Sequence, residues 1–353
     1  MAKIIMIMAG GTGGHVFPGL AVADELRSRG WRVVWLGAPG GMEATLVPGR
    51  GYEVAWVNFA GLRGKGFAAY ALLPLRLLLG FWQAARAIFA HRPDVLLGMG
   101  GYQSFPGGMM AALFGRPLVI HEQNSVAGLA NRVLAGVADR ILCAFPGALR
   151  NAMVTGNPVR PDIAALAAPA GRYRARSGLL KLLVVGGSLG ARVLNEAVPQ
   201  ALALMPPERR PEVTHQSGAQ HIDALAQRYR DAGVNASTVA FIDDMASAYA
   251  DADVVLCRAG ALTVSELAAA GVASILVPYP HAVDDHQTRN ARQLADAGAA
   301  VLMPQPELTP ARLAVTLLEL SRGQLLDMAE KARAQALPDA THAVARICME
   351  VAG

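Results

Sequence analysis

The chain nearly repeats its own beginning. Residues 3–14 read Lys-Ile-Ile-Met-Ile-Met-Ala-Gly-Gly-Thr-Gly-Gly, and residues 181–190 read Lys-Leu-Leu-Val-Val-Gly-Gly-Ser-Leu-Gly. Each is a lysine, an apolar run of strand length, a glycine-rich turn and then a helix-length segment, which is how a doubly wound α/β domain begins. Short apolar runs alternate with helix-length segments through both halves. Apolar runs without polar alternation belong to strands buried on both faces, so each half predicts a parallel sheet covered by helices. Strands are expected at 3–9, 32–36, 95–98, 118–121 and 140–143, and again at 181–185, 213–215, 239–241, 254–257 and 274–277. Helices are expected at 21–29, 191–204 and 262–270.

The 353 residues suit two such domains, each of roughly 160 to 180 residues. The boundary is expected at Gly156-Asn157-Pro158-Val159-Arg160, giving domains 1–159 and 160–338. Leu337-Pro338-Asp339 breaks the last helical segments, and the final helix, 340–351, is expected to pack back on the first domain. The fold class is therefore α/β, two Rossmann-like domains with parallel sheets facing a cleft, where a ligand is expected.

The net charge of +5 comes without any long Lys/Arg block. Phosphates or lipid head groups fit it better than nucleic acid. Cys143, Cys257 and Cys348 each sit in an apolar run and are expected as buried free thiols. The opening MAKIIMIMAGG lacks the apolar length and cleavage site of a secretory signal, so a reducing cytoplasm is expected.

Three glycine loops stand at expected strand ends: Gly10-Gly11-Thr12-Gly13-Gly14-His15, Gly98-Met99-Gly100-Gly101-Tyr102 and Gly186-Gly187-Ser188-Leu189-Gly190. Glycine lets backbone approach an oxyanion, and a following helix offers free N–H groups and positive dipole. A nicotinamide or flavin fold would need a third glycine where Val16 stands, and an acid ending the second strand, which instead ends Leu36-Gly37-Ala38-Pro39. Both tests fail, and no loop ends in the Gly-Lys-Ser/Thr of a P-loop. Asp251-Ala252-Asp253 has the spacing of a metal-binding Asp-x-Asp. It precedes a strand rather than following one, and reads as a solvated turn. No metal and no cofactor are expected.

In the second half, Arg258-Ala259-Gly260-Ala261-Leu262-Thr263-Val264-Ser265-Glu266 follows a strand. Thr263 and Glu266 have capping-box spacing. Equally, Glu266 could receive ribose hydroxyls while the Ala261 and Leu262 amides meet a phosphate, and the residues leave both readings open. Asp284-Asp285-His286-Gln287 with Asn290 opens another helix, either as a polar first turn or as a set of groups for sugar hydroxyls. His121-Glu122-Gln123-Asn124 ends a strand, where polar side chains are cappers or ligands. Arg160 offers a guanidinium suited to a diphosphate.

These motifs, together with Gly61-Leu62-Arg63-Gly64-Lys65, occur in an order that resembles the MurG family of bacterial peptidoglycan N-acetylglucosaminyltransferases. The resemblance runs from about residue 4 to residue 345. It implies a GT-B fold, UDP-N-acetylglucosamine as donor, lipid I as acceptor, and lipid II formed with inversion. By the same resemblance Ile242 meets uracil, Glu266 the ribose, and Ser188 with Arg160 the diphosphate. Thr12, Gly13, Gly14, Ala261, Leu262 and Thr263 complete the donor side, with Asn124, His286 and Gln287 at the sugar. Gly11, Gly13, Gly14, His15, Gly100, Gly101 and Tyr102 face the acceptor's diphosphate. The sequence departs from the family where Leu189 replaces an expected glutamine and where His286 replaces the glutamine of some members.

An inverting transfer needs a base for the acceptor hydroxyl, which contributes about 10²- to 10⁴-fold. His15 is the candidate, since the positive end of a helix favours the neutral, proton-accepting imidazole. A phosphate- or backbone-binding histidine is the other reading. The most apolar stretch, 67–82, is interrupted by Pro74 and Arg76 and is too short to span a bilayer, for which about 20 clean apolar residues are needed. Leu75, Leu79, Phe81 and Trp82, flanked by Arg63, Lys65, Arg76 and Arg86, suit an in-plane contact with an anionic membrane surface. A core helix under the first sheet is the alternative. The resemblance places such a protein peripherally on the cytoplasmic face of the inner membrane, with other cell-wall enzymes as partners. The rival functions are a UDP-N-acetylglucosamine 2-epimerase-like enzyme and a non-catalytic UDP-sugar-binding regulator.

Overall fold

A computed structural model of the chain describes residues 2–59, 72–187 and 190–353. The chain divides into two compact units, Met1–Arg160 with Leu337–Gly353, and Pro161–Ala336. In the first, a seven-stranded sheet runs in the order β3-β2-β1-β4-β5-β6-β7. Its strands are β1 (Ile4–Met8), β2 (Arg32–Gly37), β3 (Glu53–Trp56), β4 (Val95–Gly98), β5 (Leu118–Glu122), β6 (Arg140–Cys143) and β7 (Met153–Val154). Every pairing is parallel.

Strand β1 shows why this sheet is covered on both sides. Side chains alternate across a strand, so Ile5 and Ile7 enter one core while Met6 and Met8 enter the other. The first core also takes Val344, Ala345, Ile347 and Cys348 from the final helix, Ala340–Val351. The second takes Ala84, Ala87 and Ile88 from the helix Leu73–His91.

The second unit holds a six-stranded parallel sheet in the order β10-β9-β8-β11-β12-β13. These are β8 (Lys181–Val185), β9 (Glu212–Gln216), β10 (Ser237–Val239), β11 (Val254–Cys257), β12 (Ala273–Leu276) and β13 (Ala300–Leu302). In each unit the order reverses beside the first strand, between β1 and β4 and between β8 and β11. Ligands of open α/β sheets bind at such switch points, beyond the carboxyl ends of the strands.

The structure corrects several sequence expectations. The first helix spans Gly13–Ser28 and so begins inside the glycine loop, about two turns before 21. Glycine and proline weaken helices, yet Gly13, Gly14 and Pro18 are all helical because Val16, Leu20, Ala23 and Leu26 bury its inner face. Strand β10 ends at Val239, leaving Phe241 and Ile242 in the following loop. The edge strands β3, β7 and β13 are not among those expected: they are four, two and three residues long, and none of their residues is fully buried.

Candidate active site

In the first unit the turns after β1 and β4 touch. A side chain at Gly101 would bring a Cβ to 2.6 Å from the Gly10 carbonyl, and one at Gly100 would sit 2.8 Å from the His15 ring. Both glycines have φ near +90°, a conformation other residues rarely adopt. Thr12 is the extended N-cap of the helix Gly13–Ser28, and its carbonyl accepts from the His15 and Val16 amides. Gly13 and Gly14 are the first helical residues, so their N–H groups have no acceptor within the helix. Tyr102 is half exposed beside them, at 51%. Gly13, Gly14, His15, Gly100, Gly101 and Tyr102 are thus brought together at the switch point.

Gly11 requires a correction. Its N–H already donates to Glu43 Oε2 at 3.0 Å, so it is not a spare donor for a phosphate. Glu43 is fully buried, and its Oε1 also accepts from the Ala38 amide at 3.1 Å and Gln103 Nε2 at 3.3 Å. This carboxylate braces the first glycine loop from beneath. Two of its three partners, Gly11 and Gln103, lie 32 and 60 residues away along the chain, so local sequence does not mark this role.

The end of β5 and the residues that follow it form a buried polar frame. Glu122 accepts from the Asn124 amide and side chain, the Gly128 amide and Asn131 Nδ2. His121 bonds the Gly156 carbonyl through Nε2 at 2.9 Å, and burial pushes it down to about 4. Gln123 reaches His15, with Oε1 at 3.0 Å from Nδ1. Asn124 and Arg160 are half-buried at the surface of this unit.

In the second unit the glycine turn after β8 is also braced by one side chain. The Gly186 and Gly187 amides both donate to Gln216 Oε1 at 3.1 Å, and Gln216 Nε2 returns to the Gly187 and Ala240 carbonyls at 3.0 Å. Gln216 thus holds both amides of this turn. The same glutamine ties this turn to the loop carrying Ile242.

The helix after β11 starts at Ala261 with Gly260 as its N-cap, and Thr263 is its third residue. The capping box is therefore not formed. Glu266 lies further in, buried, with Oε2 accepting the Tyr249 hydroxyl at 3.2 Å. It is near enough to Cys257 to add to burial in pushing that thiol up to about 12. Gln287 Oε1 accepts the Tyr279 amide at 2.9 Å, so it has its NH₂ to offer a ligand. His286 beside it is half-buried, and Asn290 bonds the Ala259 carbonyl. Arg258, another residue the sequence did not single out, braces the Val277 and Pro278 carbonyls and Gln305.

The solvated-turn reading of Asp251-Ala252-Asp253 fails for Asp253. Its fully buried carboxylate pairs with Arg176 at 2.8 Å and Arg322 at 3.3 Å, and accepts the Lys181 amide. It pins the start of β8 to the start of β11. Among the described residues no three His, Cys, Asp or Glu side chains group as a metal site. The three cysteines are free and buried.

The helix Leu73–His91 has two apolar faces. Gly80, Ala84, Ala87 and Ile88 face the core, while Leu72, Leu75, Leu79 and Trp82 lie outward, Leu75 at 66% and Trp82 at 58% exposure. Arg86 stacks on Trp82 at 5.8 Å. Phe81 is half-buried, its ring 5.9 Å from that of Phe105. No helix of the described residues is long and apolar enough to cross a membrane. Arg63, Lys65 and the rest of 60–71, together with Ser188 and Leu189, lie outside the described residues.

Residues 5–143 match the glycosyltransferase family 28 N-terminal domain, and residues 181–347 match its C-terminal domain. Over its whole length the chain is 63% identical to a Dechloromonas aromatica protein named UDP-N-acetylglucosamine--N-acetylmuramyl-(pentapeptide) pyrophosphoryl-undecaprenol N-acetylglucosamine transferase, covering 100% of both. It is 65% identical to the Aromatoleum aromaticum protein of the same name, covering 99% of this chain and 98% of that one. The crystal structure of Acinetobacter baumannii MurG superposes with a TM-score of 0.85 at 42% identity, covering 99% of each chain. The two parallel-sheet units are those of a GT-B glycosyltransferase, and the chain belongs to glycosyltransferase family 28 and, within it, to the MurG family.

Proposed function

We propose that this chain transfers N-acetylglucosamine from UDP-N-acetylglucosamine to the C4 hydroxyl of the N-acetylmuramyl unit of lipid I, forming lipid II with inversion. The acceptor oxygen attacks C1 of the sugar opposite UDP. The C1–O bond to UDP breaks with its electron pair leaving on the diphosphate, and the hydroxyl proton passes to His15. The observation that carries this chemistry is the His15 imidazole at a helix start, beside the Gly13 and Gly14 amides and against Gly100. Family membership over the full chain supports the choice of substrates.

In this reading Ile242 meets the uracil and Glu266 the ribose. Arg160, Ser188, Thr12 and the helix start at Ala261, Leu262 and Thr263 stabilise the departing diphosphate, as preorganised donors do for developing charge. Asn124, His286 and Gln287 face the N-acetylglucosamine. Gly13, Gly14, Gly100, Gly101 and Tyr102 receive the diphosphate of lipid I. The chain works on the cytoplasmic face of the inner membrane, held peripherally by Leu75, Leu79 and Trp82 among anionic head groups.

Release of UDP from UDP-N-acetylglucosamine, with and without a lipid I analogue, tests the assignment. Release only with acceptor supports it. Release without acceptor favours epimerase-like chemistry, and binding without release favours a regulator. In the same assay His15→Ala should lose at least about 10²-fold in turnover. Near-intact turnover would refute the base.

A further inference from the structure

The geometry points to Gln123 as a positioning residue that fixes which nitrogen of His15 accepts the proton; this rests on His15 being the base. The amide oxygen Oε1 lies 3.0 Å from His15 Nδ1. An amide oxygen only accepts, so Nδ1 carries the hydrogen and Nε2 keeps its lone pair. The orientation of the amide is set by its other end, where Nε2 donates to the His121 carbonyl at 3.3 Å. That carbonyl also receives Asn131 Nδ2 at 3.2 Å, which keeps it in place as an acceptor. Turning the amide over would set its oxygen against the buried His121 carbonyl oxygen, so the network selects one orientation.

The frame is rigid where it matters. Gln123 is buried, at 1% exposure, and its own carbonyl accepts Asn157 Nδ2 at 3.3 Å. On the other side the ring rests on Gly100, where any Cβ would come within 2.8 Å of His15 Cε1 and Nδ1. The imidazole is thus held between an amide and a bare backbone, with Nε2 as its proton-accepting atom. Among the described residues Nε2 has no hydrogen-bond partner. A neutral amide does here what the carboxylate does in a Ser-His-Asp triad, holding the tautomer and the ring plane. It does so without adding a negative charge near an acceptor diphosphate.

Long-range ¹H–¹⁵N correlation spectra of the full-length protein, labelled at histidine, read the tautomer directly. The His15 signals are those lost in His15→Gln. Wild type should show Nδ1–H. Gln123→Met, which removes the acceptor at similar volume, should populate Nε2–H and lower kcat by about 10²-fold, the smaller end of a general base's contribution. The KM for UDP-N-acetylglucosamine should stay within twofold. Gln123→Glu restores an acceptor and should recover the Nδ1–H form and most of kcat. The added charge should move the acid limb of its kcat/KM profile to higher pH. The proposal is overturned if wild-type His15 is Nε2–H, if Gln123→Met leaves the tautomer unchanged, or if Gln123→Glu recovers no more activity than Gln123→Met. A tautomer that responds to Gln123 while His15→Ala retains turnover keeps the positioning contact and removes the base.

Discussion

Replacing Glu43 by glutamine changes one atom at the point where the first glycine loop is braced. The carboxylate accepts three hydrogen bonds: from Gly11 through Oε2, and from Ala38 and Gln103 through Oε1. A glutamine keeps one oxygen, so the least damaging orientation turns its NH₂ toward the Gly11 amide. That sets donor against donor and removes one bond to a charged acceptor, worth about 1.5–3 kcal/mol. In a unit of this size each kcal/mol moves Tm by about 2–4 °C. Glu43→Gln should therefore lower the melting temperature by roughly 3–12 °C in calorimetry of the full chain. Glu43→Ala removes all three acceptors and empties the space between Gly10 and Gly41, each of which lies against the carboxylate. It should cost more, about 4 kcal/mol. Because the loop leads directly into Gly13 and Gly14, Glu43→Gln should also raise the acceptor KM several-fold. A melting temperature within 1 °C of wild type would refute the idea that Glu43 braces the loop.

Acid should weaken both units through buried neutral histidines, because burial holds His121 at about 4 and His215 at about 3. Unfolded histidine titrates near 6.5, so their contribution is fully present above that pH and is lost as pH falls toward the folded values, at up to about 1.4 kcal/mol per pH unit for each. A Tm unchanged from pH 7 to pH 5 would contradict this. Leu75→Glu with Trp82→Glu should release the protein from anionic vesicles in flotation without changing UDP release from a soluble acceptor analogue; equal flotation would argue against the helix Leu73–His91 as the contact. Turnover should survive EDTA, and loss restored by magnesium or manganese would mean that the diphosphate leaves with a metal.

The sequence by itself determined the repeated start of each unit, the parallel sheets and the position of the glycine turns. These are local properties: continuous apolar runs make buried strands, and glycine permits the sharp turns after them. It also placed His15 at a helix start, although that helix begins earlier than its breakers suggested. Only the tertiary structure decided which loop amides remain to meet a ligand. Gly11 is taken by Glu43, and Gly186 and Gly187 by Gln216, 32 to 29 residues away along the chain. Asp253 likewise belongs to a buried ion cluster with Arg176 and Arg322. Gln123 meets His15 across 108 residues. A glycine loop offers its N–H groups in any context. Whether a phosphate or the protein's own side chain accepts them depends on what the fold packs beneath, because a buried donor must find some acceptor.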